Sequence, residues 1–137
     1  MRVAAVFFAG KNRNKLLDVT KALARGLESQ GNQVDIIDGD RDINAKLTIY
    51  GYIAVGTSAI NTWGGKIPEK VAAYLANAGI VAGKRSFAYT ITAGMRTGRT
   101  LSRLMRQMEQ EGMYLKFSDI LSSPAEAEEV GKRLHLS

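Results

Sequence analysis

Apolar residues in this chain fall into short continuous runs, and most runs are followed by a segment in which they recur at helical spacing. Val3-Ala4-Ala5-Val6-Phe7-Phe8 is apolar throughout and reads as a strand covered on both faces. Leu16, Val19, Ala22, Leu23 and Leu27 then recur every three or four residues, the pattern of an amphipathic helix, which Gly31-Asn32 closes. Further strands are predicted over residues 33–38, 52–56, 85–92 and 114–120. Helices are predicted over residues 68–77 (Val71, Ala72, Leu75 and Ala76 on one face), 100–111 (Leu101, Leu104, Met105 and Met108) and 124–134. Residues 39–50 begin polar and turn mildly amphipathic, so a short helix is expected there. This alternation argues for an α/β fold, a doubly wound parallel sheet between two helical layers. In such sheets ligands bind beyond the carboxyl ends of the strands, which directs attention to the loops after strands one, three and four.

The first of these loops, Ala9-Gly10-Lys11-Asn12-Arg13-Asn14-Lys15, runs straight into the first helix. A helix N-terminus offers unpaired N–H groups and the positive end of the helix dipole, which together favour an anion. Here Lys11, Arg13 and Lys15 crowd that end, each opposing the dipole by roughly a few tenths of a kcal/mol. The second loop, residues 57–68, is long for a strand-to-helix connection and holds Trp63, the only tryptophan. The third is Thr92-Ala93-Gly94-Met95-Arg96-Thr97-Gly98-Arg99. Each loop has glycine, which lets backbone approach a ligand closely, and a cation near the next helix start: Lys15, Lys66, and Arg96 with Arg99. The last helix is the contrast. Ser123 is placed as N-cap, Pro124 at the first position and Glu126 three after the cap, followed by Glu128 and Glu129. The three basic loops are therefore expected to hold an anion together, a phosphate ester foremost. Trp63 is placed either to stack on a flat ring or to anchor its loop in the core.

Composition narrows the class. At 137 residues, 45% hydrophobic and 23% charged, the chain reads as one domain over residues 1–137 of ordinary soluble type. It has no cysteine, which excludes disulfides, thiolate metal sites and cysteine catalysis. No apolar run approaches membrane-span length, and residues 3–8 are too short for a secretory signal. A cytoplasmic protein with no membrane partner is expected. The net charge of +6 raises a nucleic-acid partner, but the cations are scattered, no recognised motif is present, and 7% aromatics leave few stacking platforms.

Several motifs fail on inspection. Asp38-Gly39-Asp40-Arg41-Asp42 starts like a calcium loop, but Ile43 and Ile49 stand where its glycine and closing glutamate belong. The segment then reads as a solvated turn. No Walker motif or Gly-x-Gly-x-x-Gly follows the first strand. A phospho-receiver would need acidic residues after strand one and an aspartate ending strand three, where Ala9-Gly10 and Gly56 stand. One histidine, His135, and no cysteine argue against a transition-metal site or a Ser–His triad.

The motifs that remain resemble the flavodoxin-like family over nearly the whole chain. The resemblance rests on Tyr52-Ile53-Ala54-Val55-Gly56, then Asn61-Thr62-Trp63-Gly64-Gly65-Lys66-Ile67-Pro68 opening a helix. Gly83-Lys84-Arg85 before strand four and Thr92-Ala93-Gly94 after it add to it. It implies a three-layer fold with a five-stranded sheet of order 2-1-3-4-5, bound flavin mononucleotide (FMN), and electron transfer or reduction of a small acceptor with a redox partner. Were the protein an enzyme, it would be an FMN-dependent oxidoreductase, with no catalytic side chain of its own singled out. Gly10, Lys11, Asn12, Arg13, Asn14 and Lys15 would hold the phosphate and Trp63 would stack on the isoalloxazine. Thr57, Ser58, Asn61, Gly64, Thr92, Ala93 and Gly94 would line the ring.

The chain departs from the family in its first loop. The family's Ser-Gly-Thr-Gly-Asn-Thr is here Ala9-Gly10-Lys11-Asn12-Arg13-Asn14. Three hydroxyls are lost, and Lys or Arg would replace them as phosphate ligands. The aromatic often found over the second flavin face is missing too, with Met95 the nearest apolar substitute. Typical flavodoxins are strongly acidic whereas this chain is basic, so cations near the flavin would stabilise its reduced, anionic form and raise its potential. The alternative is a flavin-free module of the same fold that binds another phosphorylated or anionic ligand, or a protein partner, through the same basic edge.

Overall fold

The computed structural model describes residues 1–61, 65–92 and 95–137. Its elements are β1 (Arg2–Phe8), α1 (Arg13–Glu28), β2 (Gln33–Asp38), β3 (Tyr52–Thr57), α2 (Lys70–Ala76), β4 (Arg85–Ile91), α3 (Thr97–Gln110), β5 (Tyr114–Leu121) and α4 (Pro124–Arg133). The strands form one parallel sheet in the order β2-β1-β3-β4-β5, so the expected α/β architecture and strand order are found.

Alternation along each central strand sends successive side chains to opposite layers. From β1, Ala4, Val6 and Phe8 join Ile53, Val55 and Ala88 against Val71, Leu75, Leu104 and Met108 of α2 and α3. Val3 and Phe7 join Tyr52, Ala54, Phe87 and Tyr89 against Leu16, Leu23 and Ala127 of α1 and α4. β1, β3 and β4 are buried almost throughout because both faces are covered. β2 and β5 are the sheet edges and are only partly buried. The β4–β5 register shifts between Ser86 and Phe87, leaving Lys116 as an extra residue.

Helix starts differ from expectation by a few residues, and two of the differences matter. α1 begins at Arg13, so Arg13, Asn14 and Lys15 form its first turn. α3 begins at Thr97, three residues before the expected start at Thr100, which puts Arg99 in its first turn and Arg96 at its N-cap. The short helix expected within residues 39–50 is absent. The segment is a series of turns, including Asp42 N–H to Asp38 O at 2.8 Å and Tyr50 N–H to Leu47 O at 3.1 Å. The Asp38 carboxylate accepts from the N–H of Asp40 at 3.0 Å, a local bond that competes with helix formation. Leu47 and Tyr50 bury themselves as anchors.

Candidate functional site

The carboxyl ends of β1, β3 and β4 lie side by side, so the loops that follow them meet at one edge of the sheet. Buried hydroxyls fasten this edge. Thr57 Oγ1 donates to Phe8 O at 2.7 Å, and Thr90 Oγ1 donates to Thr57 O at 2.7 Å. Ser58 Oγ accepts from Gly10 N–H at 3.0 Å and donates to Lys11 O at 2.6 Å. Lys11 N–H donates to Ala59 O at 2.9 Å. The β1–α1 loop is thus strapped to the end of β3. Gly10 is required here because a Cβ would lie 2.5 Å from the carbonyl oxygens of both Ser58 and Ala59.

Thr57 and Ser58 were expected to present their side chains to a ligand ring. They are 0% and 1% exposed, with their hydroxyls committed to backbone carbonyls. Their side chains therefore hold the loops in place.

The entry to α1 has neither a side-chain cap nor an acid in its first turn. Asn12 sits in the left-handed region at φ 61°. Asparagine tolerates that backbone better than most residues. The first intrahelical bond is Leu16 N–H to Asn12 O at 3.1 Å, so the N–H groups of Arg13, Asn14 and Lys15 have no helical acceptor. α3 is built the same way, with Arg96 left-handed at φ 62°, no side-chain cap and no acid in its first turn. α4 has the closed alternative: Ser123 Oγ accepts from Glu126 N–H at 3.2 Å, and Glu126 accepts from Ser122 N–H at 3.2 Å.

The three cations of the first loop take different places. Lys15 reaches across the edge and donates to Thr92 O at 2.8 Å, tying the first loop to the third. Lys11 is exposed. The Arg13 side chain turns away toward β2. It pairs with Asp38, and with Asp40 at 3.2 Å, and lies over the Phe7 ring at 5.3 Å. Asp40 also accepts from Ala9 N–H at 2.9 Å.

The segment expected to be a solvated turn after β2 is therefore a half-buried carboxylate clamp on the first loop. The side chains of Asp38 and Asp40 are only 15% and 13% exposed. Burial pushes the Asp38 carboxyl up, but the Arg13 hydrogen bond, the Asp40 N–H and the charges of Arg13 and Arg41 outweigh it. They hold the carboxyl below its ordinary value. The Arg13 guanidinium is correspondingly raised, first by its hydrogen bond to Asp38.

Sequence reasoning missed this clamp. The signal was present in principle, since β2 neighbours β1 and both carboxylates follow the end of β2. Of the other expected site residues, Asn12, Asn14 and Thr92 are exposed at this edge and Asn61 is half-buried. Trp63, Gly64, Ala93 and Gly94 lie outside the described residues. His135 is exposed, as expected of a surface residue.

No helix among the described residues is long and apolar enough to cross a membrane. Nor do the described residues contain a cluster of three metal-ligating side chains.

Comparison with known proteins adds the fold. No protein-family model matches the chain, and no curated protein does. Solved structures do match. Oxidised flavodoxin 1 from Bacillus cereus superposes with a TM-score of 0.73 at 15% identity, covering 98% of this chain and 100% of that one. A flavodoxin mutant from Pseudomonas aeruginosa gives 0.71 at 14%, covering 96% and 94%. The two-electron reduced flavodoxin of Megasphaera elsdenii gives 0.70 at 14%, covering 93% and 96%. The chain has a flavodoxin-like fold.

Proposed function

We propose that this protein is a flavodoxin-type electron-transfer protein that binds FMN at the three-loop edge, with the phosphate at the start of α1. The observation that carries this reading is the contrast between helix starts. α1 is left uncapped and without acid beneath the strapped, glycine-tight loop, whereas α4 in the same chain has a serine cap and an acid in its first turn. The flavodoxin-like fold at near-complete mutual coverage supports it.

The residues present fit a phosphate monoester in charge and in donors. The N–H groups of Arg13, Asn14 and Lys15 converge at a positive helix end, and Lys11 adds a flanking cation. Gly10 and Asn12 shape the backbone, and Asn14 stands exposed in the first turn. Arg13 acts through its side-chain clamp on Asp38 and Asp40, which orients the loop, and through its N–H. Asn61, Trp63 and Gly64 of the second loop, with Thr92, Ala93 and Gly94 of the third, flank the flavin ring, Trp63 by stacking. Thr57 and Ser58 support those loops from beneath. The bound flavin supplies the redox chemistry, while the protein orients it, excludes water from it and sets its electrostatics.

The test is the visible spectrum of purified protein after excess FMN and desalting, repeated on Asn14→Asp. Wild type retains flavin bands with quenched flavin fluorescence. An acid in the first turn complements the dipole, so Asn14→Asp stabilises the flavin-free protein by roughly 0.3–1 kcal/mol in thermal melts. The same charge repels phosphate, so FMN affinity falls. Weaker FMN binding without that gain in apo stability would place the phosphate elsewhere.

A second reading is a flavin-free module of this fold that takes another phosphorylated ligand. The inward-facing hydroxyls of Thr57 and Ser58 and the hydroxyl-free first loop favour it. Colourless protein that keeps no FMN, yet loses inorganic phosphate binding in Asn14→Asp, would select it.

A further inference from the structure

Arg96, Arg99, Arg103 and Arg106 recur at intervals of three, four and three residues along α3 and its N-cap, and all four are exposed. They form a stripe about 15 Å long by helix rise. Among the described residues, every ion pair lies elsewhere. Arg2, Arg13, Arg25, Arg41, Lys70, Lys132 and Arg133 have carboxylate partners, and none of the four α3 arginines does.

Folding gives no reason for this stripe. Like charges three or four apart on a helix repel by a few tenths of a kcal/mol per pair, roughly. Two of them also sit at the positive end of the helix dipole. A different face of α3 does the packing, through Thr100, Leu104 and Met108.

The stripe also has an apolar end. Met95, immediately before Arg96, is 53% exposed. The Arg99 stem lies against the second loop, since a Cβ at Gly65 would sit 3.1 Å from its Cβ and Cγ. That loop carries Ile60, 43% exposed, with its N–H bonded to Lys66 O at 2.9 Å.

We propose that the arginine stripe of α3, with Met95 and Ile60 at its loop end, is the docking surface for an acidic protein partner. Carboxylate groups of that partner pair with the guanidinium forks, which match planar carboxylates bidentately. Exposed methionine and isoleucine rimmed by arginine is the make-up of a protein interface. A nucleic-acid groove would instead interleave aromatics, and none of the described residues of the stripe and its loop end is aromatic. The docking itself does not depend on flavin. Its use for electron transfer rests on the reading above, because the stripe begins at the third loop.

The test uses a fluorescein-labelled helical peptide of about 20 residues, with glutamate every three or four positions and leucine between. A labelled oligothymidylate of the same length is run in parallel, by anisotropy, with and without FMN. Arg99→Glu/Arg103→Glu is compared with Lys21→Glu/Lys116→Glu, which makes the same change in net charge at exposed positions off the stripe. Circular dichroism melts confirm that both variants fold.

The expected result is salt-sensitive peptide binding by wild type, weakened about tenfold or more by the stripe variant and little by the control. Equal losses in both variants would reduce the effect to net charge and overturn the proposal, as would absence of peptide binding at low salt. Tighter oligothymidylate binding lost on stripe reversal would overturn it in favour of a nucleic-acid partner. Failure of FMN binding with peptide binding intact would sink the flavin reading and leave the docking surface standing.

Discussion

At the scale of single residues, Arg13 carries the clearest lesson. Counted along the sequence it is one of three cations crowding a helix start, a natural phosphate ligand. In the fold its guanidinium belongs to Asp38 and Asp40, while Ala9 N–H is held by the same Asp40. Reversing its charge would bring three carboxylates together and disturb the loop itself.

The pair also sets an acid dependence. Asp38 is held below its ordinary value in the folded state, so the unfolded chain takes up its proton first as pH falls. Its stabilising contribution is complete above about pH 4 and is lost as pH drops through the lowered native value. Asp38→Asn is therefore expected to lower stability near neutrality by about 1 kcal/mol, allowing for solvent screening. Denaturant titrations should show the gap between variant and wild type closing as pH falls below the ordinary carboxylate range; a gap that widens with acid would refute the clamp.

At the scale of elements, α1 and α4 meet at glycine on glycine. A Cβ on Gly26 would lie 2.2 Å from Glu128 O, and one on Gly131 would lie 2.5 Å from Leu23 O. The backbones touch, and Gln30 Nε2 donates across the seam to Gly131 O at 2.6 Å and Leu134 O at 3.1 Å. Alanine at position 26 would improve helix propensity in isolation. Here it must push two helices apart, so Gly26→Ala is expected to lose roughly 1–3 kcal/mol in thermal or chemical denaturation. A stabilised variant would mean that the seam is looser than described.

These elements were legible in the sequence because their signals are periodic: continuous apolar runs for β1, β3 and β4, and three-to-four spacing for the helices. Where the signal was weak the reading failed. Residues 39–50 looked faintly amphipathic, but the Asp38 side chain took the Asp40 N–H and backbone carbonyls closed turns instead.

At the scale of the whole molecule, charge is unevenly distributed. α4 pairs its own cations and acids, Lys132 with Glu128 and Glu129, and Arg133 with Glu129. The loop edge and α3 concentrate Lys11, Lys66 and the arginine stripe, which has no carboxylate partner among the described residues. With FMN bound at that edge, as proposed, surrounding cations stabilise the reduced, anionic flavin. The protein should then show a higher reduction potential than acidic flavodoxins, falling as salt screens the cations. Spectroelectrochemistry at low and high ionic strength checks this, and a very low, salt-insensitive potential would contradict it.

The sequence by itself determined the layered α/β plan, because strands covered on both faces must be apolar throughout and covering helices must be amphipathic. It also pointed to the edge proposed here as the site, since parallel strands leave their carboxyl ends, and the helix starts that follow, on one side. Only the tertiary structure decided which polar groups face that edge. Thr57 and Ser58 turned inward to satisfy buried carbonyls, Arg13 turned sideways to two carboxylates some 25 residues or more along the chain, and the α3 arginines were left without carboxylate partners among the described residues. Such choices depend on which strands become neighbours, and spacing along one segment carries no record of that pairing.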